Sequence, residues 1–201
     1  MSAAAPGAVA AARVSMKRLR WPWLTLSLAG VTLAVVVAQL LHPALILAWQ
    51  WEVARIAAGE WWRPVTGLLV HTGGWAQIVF NLLGLLVIGW LAEQGWSRLA
   101  WAIAALAGIV AAEIAAVWWL PAGGGISVVL GGLVGLTISG WAADRRLPVL
   151  FRLVLPLAYL AGAAYVCLLN DIHGPPVFAG ALAGLALLHQ RRPVSLLVSH
   201  G

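Results

Sequence analysis

Apolar runs dominate the chain and are broken at near-regular intervals by short polar or glycine-rich turns. Runs over residues 23–41, 78–91, 99–120, 127–143, 149–169 and 177–190 approach or reach the ~20 residues that a helix needs to cross ~30 Å of hydrocarbon. They predict an all-α membrane protein, a six-transmembrane-helix bundle, because only a helix or a closed barrel satisfies its backbone polar groups in lipid. The breaks carry His42 and Pro43, the polar run from Glu93 to Arg98, Trp118, Trp119 and Pro121, the glycines 123–125, Asp144 with Arg145 and Arg146, and the turn 170–176. Pro156 falls inside the fifth run, where neighbouring helices accommodate it. Between the first two runs, residues 44–64 are less apolar and mix Trp49, Trp51, Trp61 and Trp62 with Glu52, Arg55, Glu60 and Arg63. That mixture predicts an amphipathic first outer loop at the membrane interface, where indole rings are most stable.

Composition strengthens this picture. Of 201 residues, 63% are hydrophobic and 9% charged, and the mean hydropathy is +0.95. A water-solvated surface of this size cannot be built from such a chain, so lipid is its main solvent. The expected organisation is a basic cytoplasmic tail over 1–20, one membrane domain over 21–192 and a second tail over 193–201. The net charge of +6 would suggest nucleic acid in a soluble protein, but here the cations flank apolar runs. With the N-terminus inside, Arg13, Lys17, Arg18, Arg20, Arg98, Arg145, Arg146, Arg152, Arg191 and Arg192 face the cytoplasm, and Arg55 and Arg63 lie outside. The bias predicts cytoplasmic termini, a bacterial inner-membrane location and no nucleic-acid partner. The loops with His71, Ser127 and His173 then open to the outer face.

The single cysteine, Cys167, excludes an internal disulfide and any Cys-based metal site. The histidines are scattered over different loops, and no glycine loop precedes a Lys-Ser/Thr pair, so neither a metal nor another cofactor is expected. Gly180 and Gly184, four apart on one helical face, together with Gly131, Gly132, Gly135 and Gly140 on the fourth helix, predict close packing of the fourth helix on the sixth. Glu113 is a lone carboxyl within a span. It faces either the bundle interior or a watery cavity, or sits protonated against a neighbouring helix.

Ser127 follows a glycine run at the outer start of a span and on its own reads as a helix cap. Combined with Gly125, Ile126, Gly132 and Gly135, with Trp62, Arg63, Thr66, His71 and Asn81 upstream, and with Gly180 to Gly184 downstream, it resembles the rhomboid family of intramembrane serine proteases, and most closely the short rhombosortase-like branch. The resemblance covers about residues 50–190. It implies a Ser-His dyad within the membrane, reached by water from the outer face, because an unassisted serine hydroxyl is a poor nucleophile at neutral pH. Ser127 falls on the nucleophile, Asn81 on the asparagine of the oxyanion site, and His71 on the histidine at the entry to the second helix.

This sequence departs from the family pattern at three positions. Val128 stands where a glycine follows the serine, Gln77 where an oxyanion histidine stands, and Val177 where the catalytic histidine is expected. Gln77 retains an amide donor for an oxyanion, but valine accepts no proton. His173, four residues before Val177, is separated from it by Gly174, Pro175 and Pro176, a stretch that reads as outer loop. The favoured expectation is therefore a rhomboid scaffold that has lost proteolysis and binds transmembrane segments of other proteins. The alternative is an active intramembrane protease with Ser127 as nucleophile and His173 as displaced base. A small transporter is a third reading, weakened by the lack of an internal repeat.

Overall fold

The computed structural model describes residues 20–192, so both predicted tails, apart from Arg20, lie outside the described residues. The order is α1 (Trp23–Leu41), α2 (Ala44–Trp49), β1 (Trp51–Glu52), α3 (Val53–Ala57), α4 (Arg63–Thr66), α5 (Gly74–Gly84), a π-helical turn (Leu85–Gly89), α6 (Trp90–Gly95), α7 (Arg98–Trp119), β2 (Ala122–Gly123), α8 (Ser127–Ala143), a second π turn (Leu150–Val154), α9 (Leu155–Leu168) and α10 (Gly174–Ala186). Through the π turns, α5 with α6 forms one rod over Gly74–Gly95, and a second runs over Leu150–Leu168. These two, α1 and α7 are the four helices long and apolar enough to cross a membrane. The other two predicted spans are shorter apolar helices, α8 with 17 residues and α10 with 13.

The chain's apolar side chains turn outward in a way that water would penalise. Leu168 is 81% exposed, Trp118 74% and Phe80 69%, which is the pattern of a lipid-facing surface. The interior is built instead from small residues and a few polar ones. A Cβ on Gly180 would strike the backbone oxygen of Gly132, and one on Gly135 would strike the backbone of Val177 and Ala181. Further along, Gly184 lies against Ser139. Helix α8 therefore touches α10 backbone to backbone, the contact that small residues permit where no hydrophobic drive operates between helices. On its other side Gly132 meets Ala104 and Gly108 of α7. Leu85, Trp96, Trp101, Ile126, Leu133 and Leu136 fill the remaining core.

Buried polar groups fasten the periphery. The Glu93 carboxylate accepts from the Leu24 amide at 3.2 Å, the Thr25 amide at 3.1 Å and the Thr25 hydroxyl at 3.0 Å. It supplies acceptors to the first turn of α1, where helix N–H groups lack internal partners. Gln39 on α1 brackets the His71 backbone, accepting from its N–H at 2.9 Å and donating to its carbonyl at 3.3 Å.

The tryptophan-rich segment folds into α2, β1, α3 and α4 as a cap on one end of the bundle. Arg63, 1% exposed, donates to Glu60 at 2.6 Å and to the carbonyls of Leu47 and Gln50 at 3.1 and 2.8 Å. Strand β1 pairs antiparallel with β2, Trp51 opposite Gly123, and the Trp51 indole donates to the Leu120 carbonyl at 3.1 Å. The cap thus holds the strand that leads directly into Ser127.

Candidate active site

Ser127 is the first residue of α8. The approach to it is a left-handed turn at Gly125, φ +137°, where a Cβ would also lie 2.5 Å from Gln77 Nε2 and 3.1 Å from Asn81 Nδ2. Only glycine is comfortable in that conformation. The turn is held by the Gly125 amide donating to the Gly67 carbonyl at 2.9 Å and by Gln77 Nε2 donating to the Gly124 carbonyl at 2.8 Å.

His173 stands in the turn immediately before α10, at that helix's N-cap position, and its Nε2 lies 2.9 Å from Ser127 Oγ. The sequence reading placed Gly174, Pro175 and Pro176 in a loop, but a helix's first turn needs no internal N–H donors, and proline's fixed φ suits it. The helix therefore starts one turn earlier than residue 177. Asn170 turns the chain after α9 with φ 56°, a conformation asparagine tolerates. Gly174 packs so closely on α9 that a Cβ would strike Ala163 and Cys167. Together these features set His173 over the N-terminus of α8. Val177, where the resemblance leads one to expect a histidine, is apolar core beside Ile138 and Ala163.

A third member, which the sequence reading did not single out, completes the arrangement. Asp171 Oδ1 accepts from the His173 amide at 2.9 Å and pairs with His173 Nδ1 at 2.5 Å. A carboxylate only accepts, so Nδ1 carries the proton and Nε2 is left free to accept from the Ser127 hydroxyl. Burial alone would raise the Asp171 carboxyl, but the hydrogen bonds and charge of His173 outweigh it and hold the group below the usual carboxylate range. The Asp-x-His spacing in the turn was the available signal: an aspartate accepts from the backbone N–H two residues further on.

Asn81 is fully buried near Gly125, and neither its Oδ1 nor its Nδ2 has a partner within the described residues. An orphaned buried amide costs about 1–3 kcal/mol. Gln77 is more committed: besides its bond to Gly124, its Oε1 accepts from the Gly73 amide at 2.7 Å, which makes it a clamp between two loops with one amide hydrogen to spare. His71 is buried and holds its own loop, with Nδ1 against the Leu69 carbonyl at 3.2 Å. Burial pushes its imidazole below the ordinary range, partly opposed by that carbonyl.

Two openings reach the pair. A cavity of about 230 Å³ between α7, the cap and the Gly124–Gly125 turn is lined by Trp51, Gln77, Glu113, Ser127 and His173. A wider apolar cleft of about 1060 Å³ runs between α5 and α9, with Trp75, Phe80, Leu83 and Tyr159 on its walls and Ser127 and His173 at its end. Among the described residues, no three or more His, Cys, Asp or Glu side chains converge as a metal site would need.

Fold and site together define a polytopic helical membrane protein with a serine–histidine pair at the start of a short, glycine-packed helix. A model of the rhomboid domain matches residues 58–189, more than half of the 201 residues, and the chain belongs to the rhomboid family. No curated protein matches the chain.

Proposed function

We propose that this protein is an active intramembrane serine protease of the rhomboid type, with Ser127 as nucleophile, His173 as base and Asp171 holding the imidazole. The observation that carries this reading is the 2.9 Å contact between Ser127 Oγ and His173 Nε2. In this reading that contact weighs against the silent scaffold favoured from the sequence, an expectation that rested on Val177 and on a loop position for His173. Ser127 Oγ bonds to the scissile carbonyl carbon as its proton passes to His173 Nε2. The tetrahedral intermediate collapses, the C–N bond breaks, and the imidazolium returns the proton to the leaving amine. Water, deprotonated by the same imidazole, then releases the acyl group and restores the serine.

Oxyanion stabilisation would come from N–H groups at the first turn of α8, which carries the positive end of a 17-residue helix. Asn81 Nδ2, buried without a partner, is the side-chain donor in this reading. Gln77 contributes by fixing the Gly124 carbonyl.

In this reading α8 and α10 join the four long helices as a six-helix bundle, with the tryptophan-rich cap at the outer interface and both termini cytoplasmic. A helix of 17 residues covers about 25 Å at 1.5 Å per residue, less than the ~30 Å of hydrocarbon. With its inner end at the cytoplasmic interface, Ser127 then lies below the outer surface. The cleft between α5 and α9, walled by Trp75, Phe80 and Tyr159, admits an apolar helix from the bilayer, so the substrates are transmembrane segments of other proteins. No cofactor enters the reaction. The rhombosortase-like branch is the subgroup its six apolar runs and motif order fit.

Co-reconstitution in liposomes with a panel of single-span membrane substrates tests this reading. Cleavage that both Ser127→Ala and His173→Ala abolish is expected. A wild-type protein that binds such segments, cuts none of them and takes no serine-reactive label returns the silent scaffold to favour.

A further inference from the structure

The buried face of α1 is Thr25, Thr32 and Gln39, seven residues apart, together with Val36. An apolar side chain would seat a lipid-facing helix at less cost than a primary amide, so Gln39, 4% exposed, needs a role beyond docking. Its partner supplies one. The amide accepts from the His71 N–H at 2.9 Å and donates to the His71 carbonyl at 3.3 Å, which fixes the backbone on both sides of one residue, as a neighbouring strand would. The segment held in this way is the bed of the turn before Ser127. Gly67 accepts from the Gly125 amide at 2.9 Å, and a Cβ on Gly124 would come within 2.8 Å of the Val70 carbonyl oxygen. The Gly73 amide donates to Gln77 Oε1 at 2.7 Å, and Gln77 Nε2 donates to the Gly124 carbonyl at 2.8 Å. A path of bonds therefore runs from Gln39 through the backbone of residues 71–73 and the Gln77 amide to the peptide turn that leads into the nucleophile.

We infer that Gln39 is a positioning residue for Ser127. From α1, and lining neither opening to the serine–histidine pair, it sets the turn that aims the serine hydroxyl and the first N–H groups of α8. The inference rests on the protease reading. A misplacement of about 1 Å at a reacting group costs on the order of 100-fold, so a loosened turn that still samples the right geometry should cost on the order of 10-fold.

The test is the rate constant of fluorophosphonate labelling of Ser127 in the purified full chain over a series of probe concentrations. Unfolded molecules lower the end point of such a reaction and not its rate constant. Gln39→Met removes the amide at nearly constant length. It should slow labelling at saturating probe on the order of 10-fold and leave the half-saturating concentration unchanged, because alignment acts on the transition state. Gln77→Met should act similarly, and the double variant should be no slower than the slower single one, since both break the same path. Thr25→Val, which removes the hydroxyl bond to Glu93 at the other end of α1, should lower the unfolding temperature and keep the wild-type rate constant. Gln39→Asn, one methylene too short to reach His71, takes the place of Gln39→Met if the latter does not fold. A wild-type rate constant without the Gln39 amide, losses that multiply in the double variant, equal slowing by Thr25→Val, or failure of both Gln39 variants to fold overturns this inference alone. A folded wild type that takes no label on Ser127 overturns the protease reading and this inference with it.

Discussion

Asp171 provides the sharpest quantitative prediction, because rhomboid chemistry as implied by family resemblance needs only serine and histidine. Replacing Asp171 by Asn keeps an acceptor near the ring but removes the charge that opposes the imidazolium formed during acylation. Two unit charges about 4 Å apart attract by about 1 kcal/mol in water and about 4 kcal/mol at an effective dielectric of 20. The side chains of His173 and Asp171 are 49% and 44% exposed, so solvent screening places the pair near the lower figure, at about 1.5 kcal/mol. The expected loss is therefore about tenfold in acylation rate. Asp171→Ala also deletes the cap on the His173 amide and releases the imidazole orientation, so its loss should be larger, on the order of 100-fold. Acylation is followed as the pseudo-first-order rate of fluorophosphonate labelling in detergent, with thermal unfolding recorded in parallel to show that the variants remain folded. Asp171→Glu should recover part of the rate. Labelling of both the Asn and Ala variants at the wild-type rate would refute the assignment of Asp171 as a positioning residue.

Other consequences are structural. Gly180→Ala drives a methyl into the Gly132 carbonyl and should lower stability by about 1–3 kcal/mol, read as a fall in unfolding temperature, with labelling of Ser127 reduced because α10 also carries His173. Glu93→Ala strips the acceptors from Leu24 and Thr25; the expected cost is about 1–3 kcal/mol, with protease sensitivity appearing first around α1. His71 is buried, and burial holds its imidazole below the ordinary histidine range, so the unfolded chain takes up a proton that the folded one resists. Stability should therefore decline as pH falls below about 6.5, and His71→Gln should flatten that dependence in a pH series of thermal melts.

The class of fold was readable because lipid leaves few options: long apolar runs must become helices, and their flanking charges mark the ends. The contact between α8 and α10 was readable for a related reason, since Gly132, Gly135, Gly180 and Gly184 have little use in a helix except to let another backbone approach. Helix starts were less legible. The pair Pro175–Pro176 signals either a loop or a first helical turn, and nothing local decides between them. The choice is made by Gly174 packing against Ala163 and Cys167 of α9, a tertiary contact. With α10 starting at Gly174, the turn that carries His173 lies within 2.9 Å of Ser127. Val177, which the resemblance puts in the histidine's place, is core beside Ile138 and Ala163. Asp171 carried only the short Asp-x-His signal of its turn, 2 residues from its partner, and the partners of Glu93, 68–69 residues away, leave no periodic trace.

The most direct measurement is mass-spectrometric localisation of a fluorophosphonate adduct on the wild-type protein, with its rate of formation compared with that of His173→Ala. The predicted result is a single adduct on Ser127 whose formation slows on the order of 100-fold or more when the imidazole is removed. A folded wild type without an adduct on Ser127, or an adduct that forms as fast without His173, would contradict an activated serine at the start of α8.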